Sequence, residues 1–156
     1  MSEDIQKELE QLRQEEADAK EKLESLGQLS AAYPDLRTFK GRWEKKVYCA
    51  KSANASVTGC DIRHNCGCCH DSPLEVWPYL ETEHGKVYSD PPRFMVGEKE
   101  SYDFDRPYDG WKSDMEEAGI SAEVVGIVQE YFLRQRRSRR EELEAELAEL
   151  EEGSQE

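Results

Sequence analysis

Aromatic residues are missing from the first 32 positions of this 156-residue chain, whereas Phe39, Trp43, Tyr48, Trp77, Tyr79, Tyr88, Phe94, Tyr102, Phe104, Tyr108 and Trp111 crowd its middle. The opening stretch therefore has no globular core of its own, and the compact part is expected within residues 33–119. No run of 18 apolar residues occurs, so a membrane-spanning helix is not expected. The opening Met1-Ser2-Glu3-Asp4-Ile5 lacks the basic and apolar regions of a secretory signal, and a cytoplasmic protein is expected. Basic charge is also short: 21 Lys and Arg stand against 35 Asp and Glu, for a formal net charge of −14. Long-range repulsion then opposes nucleic acid and anionic membranes as partners. The chain has no phosphate-binding glycine loop, no Gly-x-Ser-x-Gly elbow and no His-Glu-x-x-His segment. With no linear catalytic signature, an enzyme is the less favoured reading.

What is present is concentrated. All five cysteines, Cys49, Cys60, Cys66, Cys68 and Cys69, and two of the three histidines, His64 and His70, fall within 22 residues. Thiolate and imidazole are the donors that Zn²⁺ and other thiophilic ions prefer, and Cys66-x-x-Cys69 has the spacing of a metal knuckle. A core of fewer than about 90 residues is marginal on buried area alone, so a structural metal would be useful here. The expected ligands are Cys49, Cys60, Cys66 and Cys69, with His64, Cys68 and His70 as alternates. Cys66-Gly67-Cys68-Cys69-His70 also matches the c-type haem attachment pattern. The lack of an export signal disfavours haem, and an Fe–S cluster is disfavoured beside zinc. A redox dithiol is the remaining thiol chemistry, although Gly67 and the Asp71-Ser72-Pro73 that follows oppose a helix starting at the motif. Asp103, Asp105 and Asp109 suggest a calcium loop at first sight, but the glycine position and the missing twelfth-position glutamate do not fit an EF-hand.

Within the middle segment, Lys46–Ala50 and Ala55–Ile62 read as two strands joined by a polar turn, which would set Cys49 beside Cys60 on one face. Leu74–Thr82 and Lys86–Ser89 read as a second hairpin, with Pro78 at an edge or bulge, and Arg93–Gly97 as a further strand. Ser113 and Glu116 have the spacing of a capping box for a short helix ended by Gly119, and Ser121 is the expected cap of a long final helix.

The two ends carry matching heptads. Ile5, Leu9, Leu12, Glu16, Ala19, Leu23 and Leu26 recur at alternating spacings of 4 and 3, with Gly27 as the expected stop. Leu133, Arg136, Arg140, Leu143, Leu147 and Leu150 recur at 3 and 4. Set antiparallel, the pairs Ile5/Leu150, Leu9/Leu147, Leu12/Leu143, Glu16/Arg140, Ala19/Arg136 and Leu23/Leu133 come opposite one another in one register. The one acidic seam residue of the first helix meets an arginine of the second. A polar pair of this kind specifies register, and Arg suits a two-pronged carboxylate contact. The run from Arg134 to Arg140 is thereby read as seam and solvated flank rather than as a nucleic-acid patch.

The expected fold is α+β: residues 1–30 and 121–152 form an antiparallel coiled-coil hairpin around a small β-rich, Cys/His-containing domain at 33–119, with a disordered tail at 153–156. The expected function is that of a noncatalytic adaptor or scaffold that meets a protein partner or a copy of itself. A thiol-dependent metal-handling or redox protein using Cys66, Cys68 and Cys69 is the alternative.

Overall fold

The computed structural model describes residues 2–41, 46–64, 74–97 and 107–154. In chain order these form α1 (Ser2–Ala32), β1 (Arg37–Lys40), β2 (Lys46–Cys49), a 3-10 helix (Lys51–Ser56), β3 (Gly59–His64), β4 (Leu74–Thr82), β5 (Gly85–Tyr88), β6 (Phe94–Met95), α2 (Trp111–Glu117) and α3 (Ala122–Ser154). The protein is mixed α+β, with a long helix at each end and a six-stranded sheet between them.

The terminal helices follow the heptads, but their limits obey tertiary burial. Gly27 does not end the first helix: α1 continues to Ala32, where Pro34 supplies the stop. The reason is Leu29, which is 3% exposed and packs with Ala50, Ala53 and Val87, so burial outweighs the low helix propensity of glycine. Ser121 caps α3 as expected, accepting from the Val124 N–H at 3.3 Å while its hydroxyl donates to the Val57 carbonyl at 2.6 Å. α2 starts at Trp111, two residues ahead of Ser113, and Gly119 ends it at a φ of 81°.

The strand order is β1-β2-β5-β4-β3, with β6 paired to β4. β4 is the axis of the sheet: one edge pairs with β3 from Leu74 to Tyr79, and the other pairs with β6 at Glu75 and Val76 and with β5 from Tyr79 to Thr82. Pro78 falls between the β6 and β5 stretches, where its missing N–H interrupts no ladder on that edge. The second hairpin is as expected from the sequence. The first is not: β2 pairs antiparallel with β1 and parallel with β5, while β3 pairs with β4. The segment read as a turn is a 3-10 helix whose Ala53 and Asn54 are buried, and it carries the chain over to the far side of the β4–β5 hairpin.

Alternation along β4 sends Leu74 and Val76 to one face and Glu75 and Trp77 to the other. The first face joins Cys60 and Ile62 of β3 with Trp111 and Met115 of α2 and Val124, Val125, Val128 and Phe132 of α3. The opposite face gathers Phe39, Val47, Cys49, Trp77, Tyr79 and Tyr88.

The helical arms do not form the expected hairpin within the chain. α1 from Asp18 to Leu29 lines a cleft with Tyr48, His84, Gly85 and Lys86, at the end of β4 where Thr82 pairs with Gly85. On α3, the Tyr131 hydroxyl lies 3.4 Å from the His64 ring, and His64 pairs with Leu74 at the other end of β4. The length of β4 from Leu74 to Thr82, about 26 Å at about 3.3 Å per residue, separates the two attachments. Ile5, Leu9, Leu12 and Leu23 consequently stay 46–69% exposed, and Leu133, Leu143, Leu147 and Leu150 48–71% exposed.

One buried amide ties the pieces together. Asn54, 2% exposed, donates to the carbonyls of Asp90 at 3.0 Å and Ala118 at 2.8 Å and accepts from the Asp90 N–H at 2.9 Å. Its own carbonyl accepts from Ser121 N–H at 3.1 Å. Beside it, Arg37 makes a two-pronged contact with Asp90, at 2.8 and 2.6 Å, which holds the Asp90 carboxyl below its usual pKa. Because that pKa is depressed, the contribution to stability is present above about pH 4 and is lost as pH falls through the folded value. Replacing Asn54 by Ala strands three backbone groups in the interior and should lower stability by about 3 kcal/mol. Urea unfolding of the full chain measures this, and a loss below about 1 kcal/mol would show that water replaces the amide.

Candidate interaction surface

The sheet face turned away from α2 and α3 carries a row of aromatic rings. Phe39 meets Trp77 at 6.2 Å between centroids, Trp77 meets Tyr88 at 6.0 Å and Tyr79 meets Tyr88 at 6.0 Å, all edge to face. The ladder explains the row: Tyr79 is paired with Tyr88, which is paired with Cys49, and Trp77 is the next residue along β4 on that face. Edge-to-face contacts of this kind add stabilisation beyond burial.

Cations lie over the rings. The Arg63 guanidinium sits 4.3 Å from the Trp77 centroid, the Lys86 ammonium 4.2 Å from Tyr79 and the Arg93 guanidinium 5.9 Å from Phe39. Carboxylates balance them. Glu75 is 2% exposed and accepts from Trp77 Nε1 at 3.1 Å and from Arg93 at 3.3 Å. Asp61 lies 3.6 Å from Arg63 and accepts the Tyr88 hydroxyl at 3.4 Å. Burial, with the Asp61 charge second, pushes the Tyr88 phenol up, so it stays a protonated donor at neutral pH. Trp77 is covered, at 6% exposed, so Arg63, Lys86 and the partly exposed Tyr79 form the accessible surface. Flat, amphipathic groups of this type suit recognition of another protein.

The candidate metal ligands are dispersed. Cys49 is fully buried on the aromatic face, and its thiol donates to the Arg37 carbonyl at 3.6 Å. Cys60 lies in the helical core on the opposite face. From Cys49 the row runs through Tyr88 and Tyr79 to Gly59, three strand spacings or about 14 Å away. Sulfurs on one tetrahedral zinc lie about 4 Å apart. Cys49 and Cys60 therefore do not share an ion, contrary to the pairing expected from the sequence. His64 closes β3 at the sheet edge, beside Tyr131. Cys66, Cys68, Cys69 and His70 lie outside the described residues, as do Asp103 and Asp105 of the acidic loop. Among the described residues no group of three or more His, Cys, Asp or Glu is placed to hold a metal ion.

Both described thiols are held in the protonated form. Burial raises the Cys49 pKa and pushes Cys60 up to about 11, with the Asp61 charge adding to the latter. Of the expected register pair, Arg140 makes a 3.7 Å contact with Glu144 on its own helix, and Glu16 stands on the other arm, exposed.

The buried Glu75, with Trp77 and Arg93, is not singled out by the sequence. The alternation Leu74-Glu75-Val76-Trp77 does place Glu75 and Trp77 on one face, but a carboxylate in such a pattern ordinarily faces water. Its burial depends on Arg93, 18 residues away, and on the strand order.

No family model, curated protein or solved structure matches the chain. Among the described residues no helix is long and apolar enough to cross a membrane.

Cys49 and Cys60 should react with iodoacetamide at neutral pH at least about a hundredfold more slowly than a free thiol, and at the free rate once the chain is unfolded in urea. Time-resolved alkylation with peptide mass spectrometry measures each cysteine separately. Rapid native labelling of either would contradict its placement.

Proposed function

We propose that the protein is a noncatalytic adaptor or scaffold, in which the two heptad arms assemble the molecule and the small sheet domain presents its aromatic and cationic face to a protein partner. One observation carries this reading: eight large aliphatics in two heptad seams are each at least 46% exposed. Exposed aliphatics recurring in this way, interrupted only at Glu16 and Ala19 and at Arg136 and Arg140, mark contact surfaces in water-soluble proteins. The sheet face supports the second half of the reading through the stacked Arg63, Lys86 and Tyr79. The thiol-dependent alternative rests on Cys66, Cys68 and Cys69 alone, because burial keeps Cys49 and Cys60 protonated.

Affinity capture by the full chain, compared with Arg63→Ala/Lys86→Ala, tests the presenting face. At least one protein bound by the wild type should fall about tenfold in the double variant. Identical capture by both chains would remove the sheet face from the proposal.

In the same reading the cysteine cluster is structural and holds one zinc ion through Cys66 and Cys69, with further ligands from His64, Cys68 and His70 and none from Cys49. His64 supports this because the chain enters the cluster from that residue, at the sheet edge. Native mass spectrometry with elemental analysis should find one zinc per chain, kept in Cys49→Ala and lost in Cys66→Ser/Cys69→Ser. Metal-free wild-type protein, or loss in Cys49→Ala, overturns the assignment.

A further inference from the structure

We propose that the outer edge of β1 is a docking site for an extended acidic segment of a protein partner, which adds to the sheet as a further strand. The inference concerns this edge alone and holds whether or not the aromatic face binds a partner. β1 is an end strand of the sheet: among the described residues it pairs only with β2. In a paired strand alternate residues turn their backbone N–H and C=O groups away from the partner, so the outer side of β1 carries donors and acceptors that no described strand satisfies. Arg37, Thr38 and Lys40 are exposed and Phe39 is half-buried, so the strand is open to solvent along its length.

Charge selects the occupant. From Arg37 to Lys51 the sequence has six basic residues and one acidic, Glu44, although the whole chain carries −14. Arg37 is engaged by Asp90. Lys40 and Lys46 stand directly opposite one another on the β1–β2 ladder, both exposed, and neither makes an ion pair among the described residues. Like charges so placed repel, and a carboxylate set beside them relieves the repulsion. The other end strand, β3, offers no such excess, because its Arg63 lies 3.6 Å from its own Asp61. An edge lysine ordinarily guards a sheet against indiscriminate pairing. Here the guard also discriminates. A second copy pairing through β1 brings the basic residues of two hairpins together, and an apolar strand leaves both ammonium groups unneutralised. An acidic strand supplies the opposite charge.

The ladder also sets the pattern of the occupant. Lys40 and Lys46 share one face of the hairpin, and Phe39 lies on the other, against Trp77. An added strand that alternates carboxylate and aliphatic residues places its carboxylates beside the lysines and its aliphatics beside Phe39. Main-chain hydrogen bonds then give affinity and the alternation gives specificity. Nucleic acid matches the charge alone and has no strand ladder to offer.

Fluorescence anisotropy of the full chain with a fluorescein-labelled peptide alternating Glu and Val gives the test. The peptide should bind saturably, with a Kd of about 1 mM or tighter, and more weakly as salt is raised. Lys40→Glu/Lys46→Glu should weaken binding about tenfold or more, with tryptophan fluorescence unchanged because both positions are exposed. A peptide alternating Lys and Val should not bind. Only alternate N–H groups of an added strand face β1, so N-methylation of the Glu set and of the Val set should differ: one abolishes binding and the other is tolerated. No binding of the Glu-Val peptide, or equal binding by the Lys-Val peptide or the double variant, overturns the proposal. The same response to both methylated sets, or full displacement of the peptide by an oligothymidylate of equal charge, overturns it as well.

Discussion

Strand β4 is paired along both edges and buried on both faces from Leu74 to Pro78, and the rest of the molecule is positioned by it. Leu74 and Val76 anchor α2 and α3 on one side, while Glu75 and Trp77 organise the aromatic face on the other. A strand in this position tolerates little: its backbone groups must find ladders, and any charge on it must find a partner. Glu75 meets that demand through Trp77 Nε1 and Arg93, and Pro78 through its place between β6 and β5. A central strand carrying a carboxylate and a proline is thus compatible with a packed sheet because neighbours from distant sequence supply what it lacks.

The length of β4 also decides what the helices do. A coiled-coil hairpin needs both helices to leave the domain on the same side, and here the two attachments lie at opposite ends of the strand. The seam aliphatics of both arms are therefore left exposed. Where α1 does touch the sheet, through Leu29, local propensity gives way and the helix runs past Gly27.

The described thiols behave as small apolar side chains rather than as reagents. Cys49 fills the aromatic layer and Cys60 the helical core, and the desolvation that makes them good packing residues also keeps their protons on. The five cysteines are thereby divided: two thiols serve the core, and the other three lie outside the described residues. The described part of the chain carries cations held over aromatic rings on the sheet and exposed leucines along the arms.

Much of the fold is legible in the sequence because it is local. The heptads at both ends, the β4–β5 hairpin, the Ser121 cap and the Gly119 stop follow from period, turn chemistry and capping, each confined to a few neighbouring residues. Strand β1 is not legible, since Arg37-Thr38-Phe39-Lys40 carries almost no pattern and becomes a strand only by pairing with β2. The pairing of β2 with β5, the separation of Cys49 from Cys60, the burial of Asn54 and Glu75 and the attachment of the arms at opposite ends of β4 were decided by tertiary structure. The sequence by itself determined the two long helices and most of the strands, β1 excepted, and which side of each is apolar, because side-chain period acts over a few residues. Only the tertiary structure decided which apolar sides meet, because that depends on the order in which strands stack around β4, and no local period encodes it.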